Sequence, residues 1–307
     1  MQEHSHFIKS LPQLQKLYHK ILLEVQDMYN HLVPLKLRQR RNIHQQYQKD
    51  FVIISVCLLG KMMGFTSERS WHSFAKANFF SGQFFPERSR YNRICRQLLW
   101  IIKFLRYQFI RRFLAQAPYT IVDSLPLPLC HSARSFRVKR LRGYADRGYC
   151  ASKKEHYYGF KGSFHITNTG FIVGYVISRA STHDLSVLEE LLDQSPHCIV
   201  LGDKGYVSEK VGQKLARKGI QLLAMKRANS KNPHPVELTK FIRFRRKQIE
   251  TLFSNLCDVF CIDQLKPNSL IGFELAIDTI LFAHSLLVLW AIQDHGEGTK
   301  WRDQIFN

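Results

Sequence analysis

No two cysteines in this chain stand at CxxC spacing, and the seven present (Cys57, Cys95, Cys130, Cys150, Cys198, Cys257, Cys261) are odd in number and scattered. That pattern excludes a zinc ribbon and a disulfide framework, and it fits a reducing cytoplasm. Cys257 and Cys261 would share one helix face. Without a histidine at matching spacing they read as small core residues. A Cys/His finger, a heptad zipper and an internal repeat are likewise missing. The N-terminal MQEHSHFIKS lacks the apolar stretch of a signal peptide. The longest charge-free apolar run, residues 279–293, is too short for a bilayer and reads as a buried C-terminal helix, so no membrane partner is expected.

Acids are scarce. Asp and Glu number 24 against 45 Lys and Arg, a formal net charge of +21. With 45% hydrophobic residues the chain is no disordered basic tail, and 307 residues allow two domains of roughly 150 each. The excess is uneven: +13 over residues 1–120, +6 over 121–220 and +2 over 221–307. A polyanion, nucleic acid first, is the partner such a surface fits.

Residues 1–115 read as helical throughout. Gln13–Tyr29 forms a first helix, followed by a basic stretch at 35–41. Asp50 caps an apolar helix, Thr66 or Ser67 caps another, and a long helix runs from Ser89 to Leu114. On that last helix Arg93, Arg96, Trp100, Lys103, Tyr107 and Arg111 recur every three or four residues, a basic and aromatic face suited to phosphate contact. From Pro118 the texture changes to mixed α/β. Tyr119–Asp123 reads as a strand ended by the proline-rich 125–129, and a long basic loop covers 131–161. Two hairpin strands and then alternating helices and strands follow, before a late helix at 239–260.

Three acids stand out: Asp123 at the end of the first strand, Asp203 after the apolar CIVLG, and Glu250 on the late helix. Carboxylates at strand ends sit where active sites form in α/β sheets. At about 100° per residue, Glu250 falls about 180° from Phe241 and away from the helix's apolar arc, between Arg243 and Arg246. Arg245 falls inside the arc, a misfit. Singly, each acid has an ordinary explanation, as a turn cap or an arginine partner. Together they would be tolerable around divalent metal, since two carboxylates about 4 Å apart repel by roughly 4 kcal/mol at an effective dielectric of 20. Oxygen-only ligands favour Mg2+ or Mn2+, and two such ions would activate a water or hydroxyl and stabilise the leaving oxygen of a phosphodiester.

The segments IVDSLPLPLCHSAR, GYADRGYCASKKEHYYGFKGSFH, SRASTHDLSVLEEL, LGDKGYVSEKVGQKL and FRRKQIETLFSNL, with FPERSRYNRICRQL upstream, resemble the DDE transposases of bacterial insertion sequences, most closely the insertion-sequence-982 type. The resemblance covers most of residues 50–290. It implies a ribonuclease-H-like mixed-sheet catalytic domain at 116–265. An all-helical DNA-binding region at 1–115 would precede it, and a helical extension at 266–307 would pack on it. It further implies Asp123, Asp203 and Glu250 as catalytic, metal-binding acids, with two Mg2+ or Mn2+ ions per site. The spacings of 80 and 47 residues leave no room for a large inserted domain.

Lower-ranked DNA contacts are Arg93, Arg96, Lys103, Arg134, Lys161, Lys204, Arg243, Arg246 and Lys247, with His131 and Tyr206 also beside the acids. Asp184, in STHD, reads as a helix cap rather than a fourth ligand. Some relatives carry Tyr three residues before the arginine and Lys seven after the glutamate, where this chain has Arg243 and Cys257. The expected partners are double-stranded DNA, as terminal inverted repeats and target, and further copies of the chain assembled on that DNA. The competing readings are a structure-selective nuclease on the same fold and a DNA-binding protein whose catalysis has decayed.

Overall fold

The structure, a computed structural model, describes residues 10–40, 43–151, 153–227, 229–230 and 232–306. Arg41 of the basic stretch and the first nine residues, read above for a signal peptide, lie outside them. The helical part comprises α1 (Leu11–Leu32), α2 (Leu35–Arg38), α3 (Asp50–Met62), α4 (Glu68–Phe79), α5 (Arg88–Gln97) and α6 (Leu99–Ala115). Then come β1 (Thr120–His131), β2 (Asp146–Cys150), β3 (Glu155–Thr167), β4 (Ile172–Arg179), α7 (Asp184–Gln194), β5 (Ile199–Gly202), α8 (Glu209–Arg217) and β6 (Gln221–Ala224). The chain closes with α9 (Val236–Phe260), α10 (Leu270–His295) and α11 (Asp303–Phe306).

The architecture is a mixed α/β layer with a helical N-terminal region. One edge of β3 pairs antiparallel with β1; its other edge takes β2 along residues 155–159 and β4 along 160–166. On the far side of β1, β5 and then β6 run parallel. Helices α6, α9 and α10 cover one face, and α7 and α8 the other.

Three elements depart from the expected boundaries. First, β1 does not stop at Asp123 but runs on through Pro126 and Pro128, paired with β3 as far as Tyr157. Proline costs a strand only the hydrogen bond it cannot donate. Residues 126 and 128 have the same parity, so both nitrogens face one edge, and β5 pairs with β1 only at Thr120 and Ile121. That edge is open where the prolines fall. Second, the supposed basic loop at 131–161 contains β2 and the first half of β3. Third, the helix expected from Ser89 to Leu114 is two helices broken at Leu98, whose N–H is shared among the carbonyls of Ile94, Cys95 and Arg96. Neither glycine nor proline marks that break.

Capping follows composition closely at Ser67, Ser208 and Ser269, each of which accepts a backbone N–H of the first turn. Asp50 does not cap α3. It is buried in the first turn, where Tyr29 donates to one carboxylate oxygen at 2.8 Å and Arg40 and Gln46 donate to the other. Cys261 is the left-handed C-cap of α9 (φ 51°) rather than a residue of its face, and all seven cysteines are free thiols.

One apolar core runs from the N-terminal helices through the inner sheet face to α9 and α10. The 26-residue α10 is longer than the apolar run suggested, long and apolar enough to cross a membrane by length and composition. Here it is enclosed by α3, α5 and α6 on one side and the chain's last turns on the other, as a core helix. Its acid Asp278 is fully buried and accepts from Arg106 at 3.1 Å and from the Tyr175 hydroxyl at 2.7 Å, which binds α6, β4 and α10 together.

Two buried histidines give stability a pH dependence. Burial lowers His165 to about 3 and His284 to about 3, and neither ring nitrogen of His284 has a partner. The folded-state values lie below the unfolded one, so their contribution is present above about pH 6.5 and is lost as the pH falls toward the folded values. Thermal melts between pH 7 and 5 are expected to show unfolding coupled to uptake of up to about two protons, and His284→Leu should halve that slope. An unchanged slope in the variant would contradict the assignment.

Candidate active site

The β1–β5 ladder is short. Thr120 pairs with Val200 and Ile121 with Leu201, and the strands then part. Continuing that register sets Asp123 level with Asp203, the first residue beyond β5. The two carboxylates therefore reach one opening at the carboxyl edge of the parallel strands, where backbone no longer fills the space. Helix α9 crosses β1 here. Ile249, Leu252, Phe253 and Leu256 bury its apolar side, which leaves Arg246 and Glu250 facing the same opening.

The three acids converge on one atom. Arg246 Nη2 lies 2.9 Å from Asp123 Oδ2, 3.8 Å from Asp203 Oδ2 and 3.8 Å from Glu250 Oε1. Asp123 is the most enclosed acid, with 19% of its side chain exposed against 40% for Asp203 and 61% for Glu250. Burial pushes the Asp123 carboxyl above its ordinary value even though Arg246 and the Ser124 N–H favour its ionised form. Asp203 Oδ1 accepts the backbone N–H of Gly205, which orients the carboxylate toward the opening. Gly205 has little room: a Cβ there would sit 3.0 Å from Asp203 Oδ1 and 3.8 Å from Asp184 Oδ2.

Asp184 thus stands beside Asp203, and it is not the cap of α7. His183 takes that role through Nδ1, which accepts the Leu185 N–H, and Asp184 in the first turn pairs with Lys161 at 3.1 Å. Lys161 also donates to the Thr182 carbonyl at 2.6 Å, which ties β3 to the start of α7. Beneath the acids Tyr206 is 1% exposed and its hydroxyl has no hydrogen-bond partner. Burial, and then the charges of Asp184, Asp123 and Asp203, hold that hydroxyl well above its usual range.

Among the described residues, no three His, Cys, Asp or Glu side chains are close enough to hold a metal ion as they stand. The Arg246 guanidinium stands among the carboxylates instead. The donor set nevertheless fits a hard divalent ion. All three donors are carboxylate oxygens, they surround a point already occupied by positive charge, and a buried orphan hydroxyl adjoins them.

The remaining sequence candidates divide by location. Arg243 and Lys247 are exposed on α9 on either side of Arg246, and Lys204 is exposed next to Asp203. Arg134 is exposed in the short turn after β1, further out than the acids. Arg93 and Arg96 are exposed on α5, but Lys103 turns inward and pairs with Glu274 at 3.2 Å and Asp278 at 3.6 Å on α10. The break at Leu98 takes it off the face shared with Arg93. Sequence reading missed three cations beside Arg93 and Arg96. Lys61, Arg88 and Lys266 line the same cleft of about 830 Å³ between α3, α4, α5 and the segment before α10. Arg88 was legible in the FPERSRYNR segment; Lys61 and Lys266 are brought there only by the fold.

The misfit of Arg245 resolves as stacking. Its guanidinium lies 5.6 Å from the Tyr119 ring, 5.5 Å from Phe241 and 5.4 Å from Phe244, so it covers apolar surface while staying charged. Arg246→Ala is therefore expected to slow DNA cleavage far more than Arg245→Ala, whose loss should appear in the melting temperature. Cleavage rates and melts on both variants check this; equal catalytic loss from a well-folded Arg245→Ala would refute it.

A family profile described as a transposase DDE domain matches residues 115–269, from the end of α6 to the turn before α10. The chain belongs to that family. No curated protein matches it in sequence. Among solved structures it is similar to a piggyBac transposase synaptic complex with hairpin DNA, determined by cryo-electron microscopy. That likeness has 12% identity and a TM-score of 0.47, and it covers 99% of this chain and 80% of the other.

Proposed function

We propose that this chain is the transposase of an insertion sequence of the insertion-sequence-982 type, with a ribonuclease-H-like catalytic domain at 116–265. It binds the terminal inverted repeats of its element through the helical region 1–115, cuts DNA strands and joins a released 3′ hydroxyl to target DNA. The convergence of Asp123, Asp203 and Glu250 on one point carries this reading, supported by the family match over the segment that contains them. The extension 266–307 would join the two parts: α10 packs on α3, α5 and α6, and Asp278, Phe273 and Trp301 touch Tyr175, Phe160 and Phe260.

Asp123, Asp203 and Glu250 would hold the Mg2+ or Mn2+ ions, two per site. Such ions activate the attacking oxygen and stabilise the leaving oxygen of a phosphodiester. The chain's own residues do the rest. Asp123 and Asp203, fixed by β1 and β5, set the position of the reacting phosphate. Glu250, on α9 and more exposed, closes the third side. Arg243, Arg246 and Lys247 line the approach along α9, and Lys204 and Arg134 extend it, so the backbone phosphates of a duplex can be gripped on either side of the acids. Lys161 acts from beneath through its pairing with Asp184. Arg93 and Arg96, with the cleft behind them, form the second cationic surface, for the repeat sequence. Cutting two element ends calls for two active sites, so the working form is a homo-oligomer assembled on DNA, acting in the bacterial cytoplasm.

Incubating the full chain with Mg2+ and a duplex carrying the DNA that flanks its gene tests the reading. Cuts at the element ends and strand-transfer products into a second plasmid are expected. Cleavage of branched DNA without end specificity or joining would instead identify a structure-selective nuclease. Binding without any cleavage would identify a decayed copy.

A further inference from the structure

The carboxylates of the candidate site do not touch one another; they meet through Arg246. Only one contact of that guanidinium is a good hydrogen bond, the 2.9 Å bond from Nη2 to Asp123. The other two acids stand at 3.8 Å, Nη1 has a methionine sulfur at 3.9 Å, and Nε is buried without a partner. A guanidinium offers five donors, and an arginine built into a fold as a structural ion pair normally fills them, because buried N–H groups left unsatisfied are costly. Arg106 donates to Asp278 at 3.1 Å and to the Ile172 carbonyl, and Arg40, which leaves Nε and Nη1 unfilled, serves one carboxylate, that of Asp50; only at Arg246 do three carboxylates meet one nitrogen. Arg246 is held mainly by charge, at the point where three carboxylates aim.

We propose that Arg246 is the built-in counter-cation of this site, standing between the acids and competing with divalent ions for them. The inference rests on the reading of Asp123, Asp203 and Glu250 as metal ligands and adds a control to it. Without metal, Arg246 keeps three mutually repelling carboxylates together and holds the cleft in shape. With Asp123, Asp203 and Glu250 engaged by divalent ions, the Arg246 guanidinium would be free for the phosphates of bound DNA. Loading and DNA contact are thereby coupled through one side chain.

The sign of the effect separates this role from a structural one. Removing a competing cation tightens metal binding while it weakens the metal-free fold; losing a structural arginine weakens both. Mn2+ binding to the full chain without DNA, followed by electron paramagnetic resonance, and melting in EDTA and in Mn2+ are compared for native protein, Arg246→Gln and Arg246→Lys. Arg246→Gln is expected to bind Mn2+ about tenfold more tightly, to melt lower in EDTA and to gain more from Mn2+. Arg246→Lys keeps the charge without the fork and should fall between, which retains the test if Arg246→Gln folds poorly. Unchanged or weaker Mn2+ binding in both variants would overturn the proposal while the metal reading stands. Absence of Mn2+ binding in native protein and variants alike would overturn both.

Discussion

Asp203→Ala is expected to lose DNA cleavage by on the order of 10³-fold or more while its affinity for DNA stays near native. The asymmetry follows from where Asp203 sits. It lies just past β5 with its carboxylate turned to the opening shared with Asp123 and Glu250, and its one local bond is to the Gly205 N–H. Losing that bond loosens a short turn, but the core beneath is made by Val200, Leu201 and Tyr206, which the substitution leaves in place. The cations that would grip phosphate, Lys204 beside Asp203 and those on α5, on α9 and in the turn after β1, are left in place by the substitution. Removing a carboxylate from a basic surface also takes away a repulsion with phosphate, so binding should not fall. Mg2+-dependent cleavage retained in a clean preparation of the variant would remove Asp203 from the site.

The second large effect is of salt. With about eight phosphates contacted, affinity for duplex DNA is expected to drop on the order of 10³–10⁵ between 50 and 200 mM monovalent salt. The +13 carried by residues 1–120 motivates this, and so does the cleft where Lys61, Arg88, Arg93, Arg96 and Lys266 gather. The measurement belongs to the whole chain. Helix α10 fills the core between α3, α5 and α6, and a fragment ending at residue 115 would expose that apolar surface to water. A gel-shift series flat in salt would count against a phosphate-dominated interface.

The three acids were legible as candidates because their signals are local: an apolar strand followed by an acid, and a helix whose wheel leaves one glutamate opposite its buried arc. Asp184 was misread for an equally local reason. Aspartate at a helix start is the commoner cap, and only the fold shows His183 in that role and Asp184 against Lys161. Pro126 and Pro128 looked like the end of β1 because sequence does not say which edge of a strand will be free. Lys103 looked like a DNA contact because nothing in the text of the chain marks a break at Leu98, and its partners Glu274 and Asp278 lie far along the sequence. Arg246 fell on the polar side of the wheel with Glu250. Its place between the acids is a matter of three distances that no spacing encodes.

The central claim, that Asp123, Asp203 and Glu250 together hold the metal that cuts DNA, has a direct physical test. Fe2+ bound in place of Mg2+ and given peroxide cleaves nearby protein backbone, and the fragments report where the ion sat. The account predicts cuts next to residues 123, 203 and 250, suppressed by excess Mg2+ and absent in Asp203→Asn. Cuts confined to other segments, or unaffected by that substitution, would contradict it.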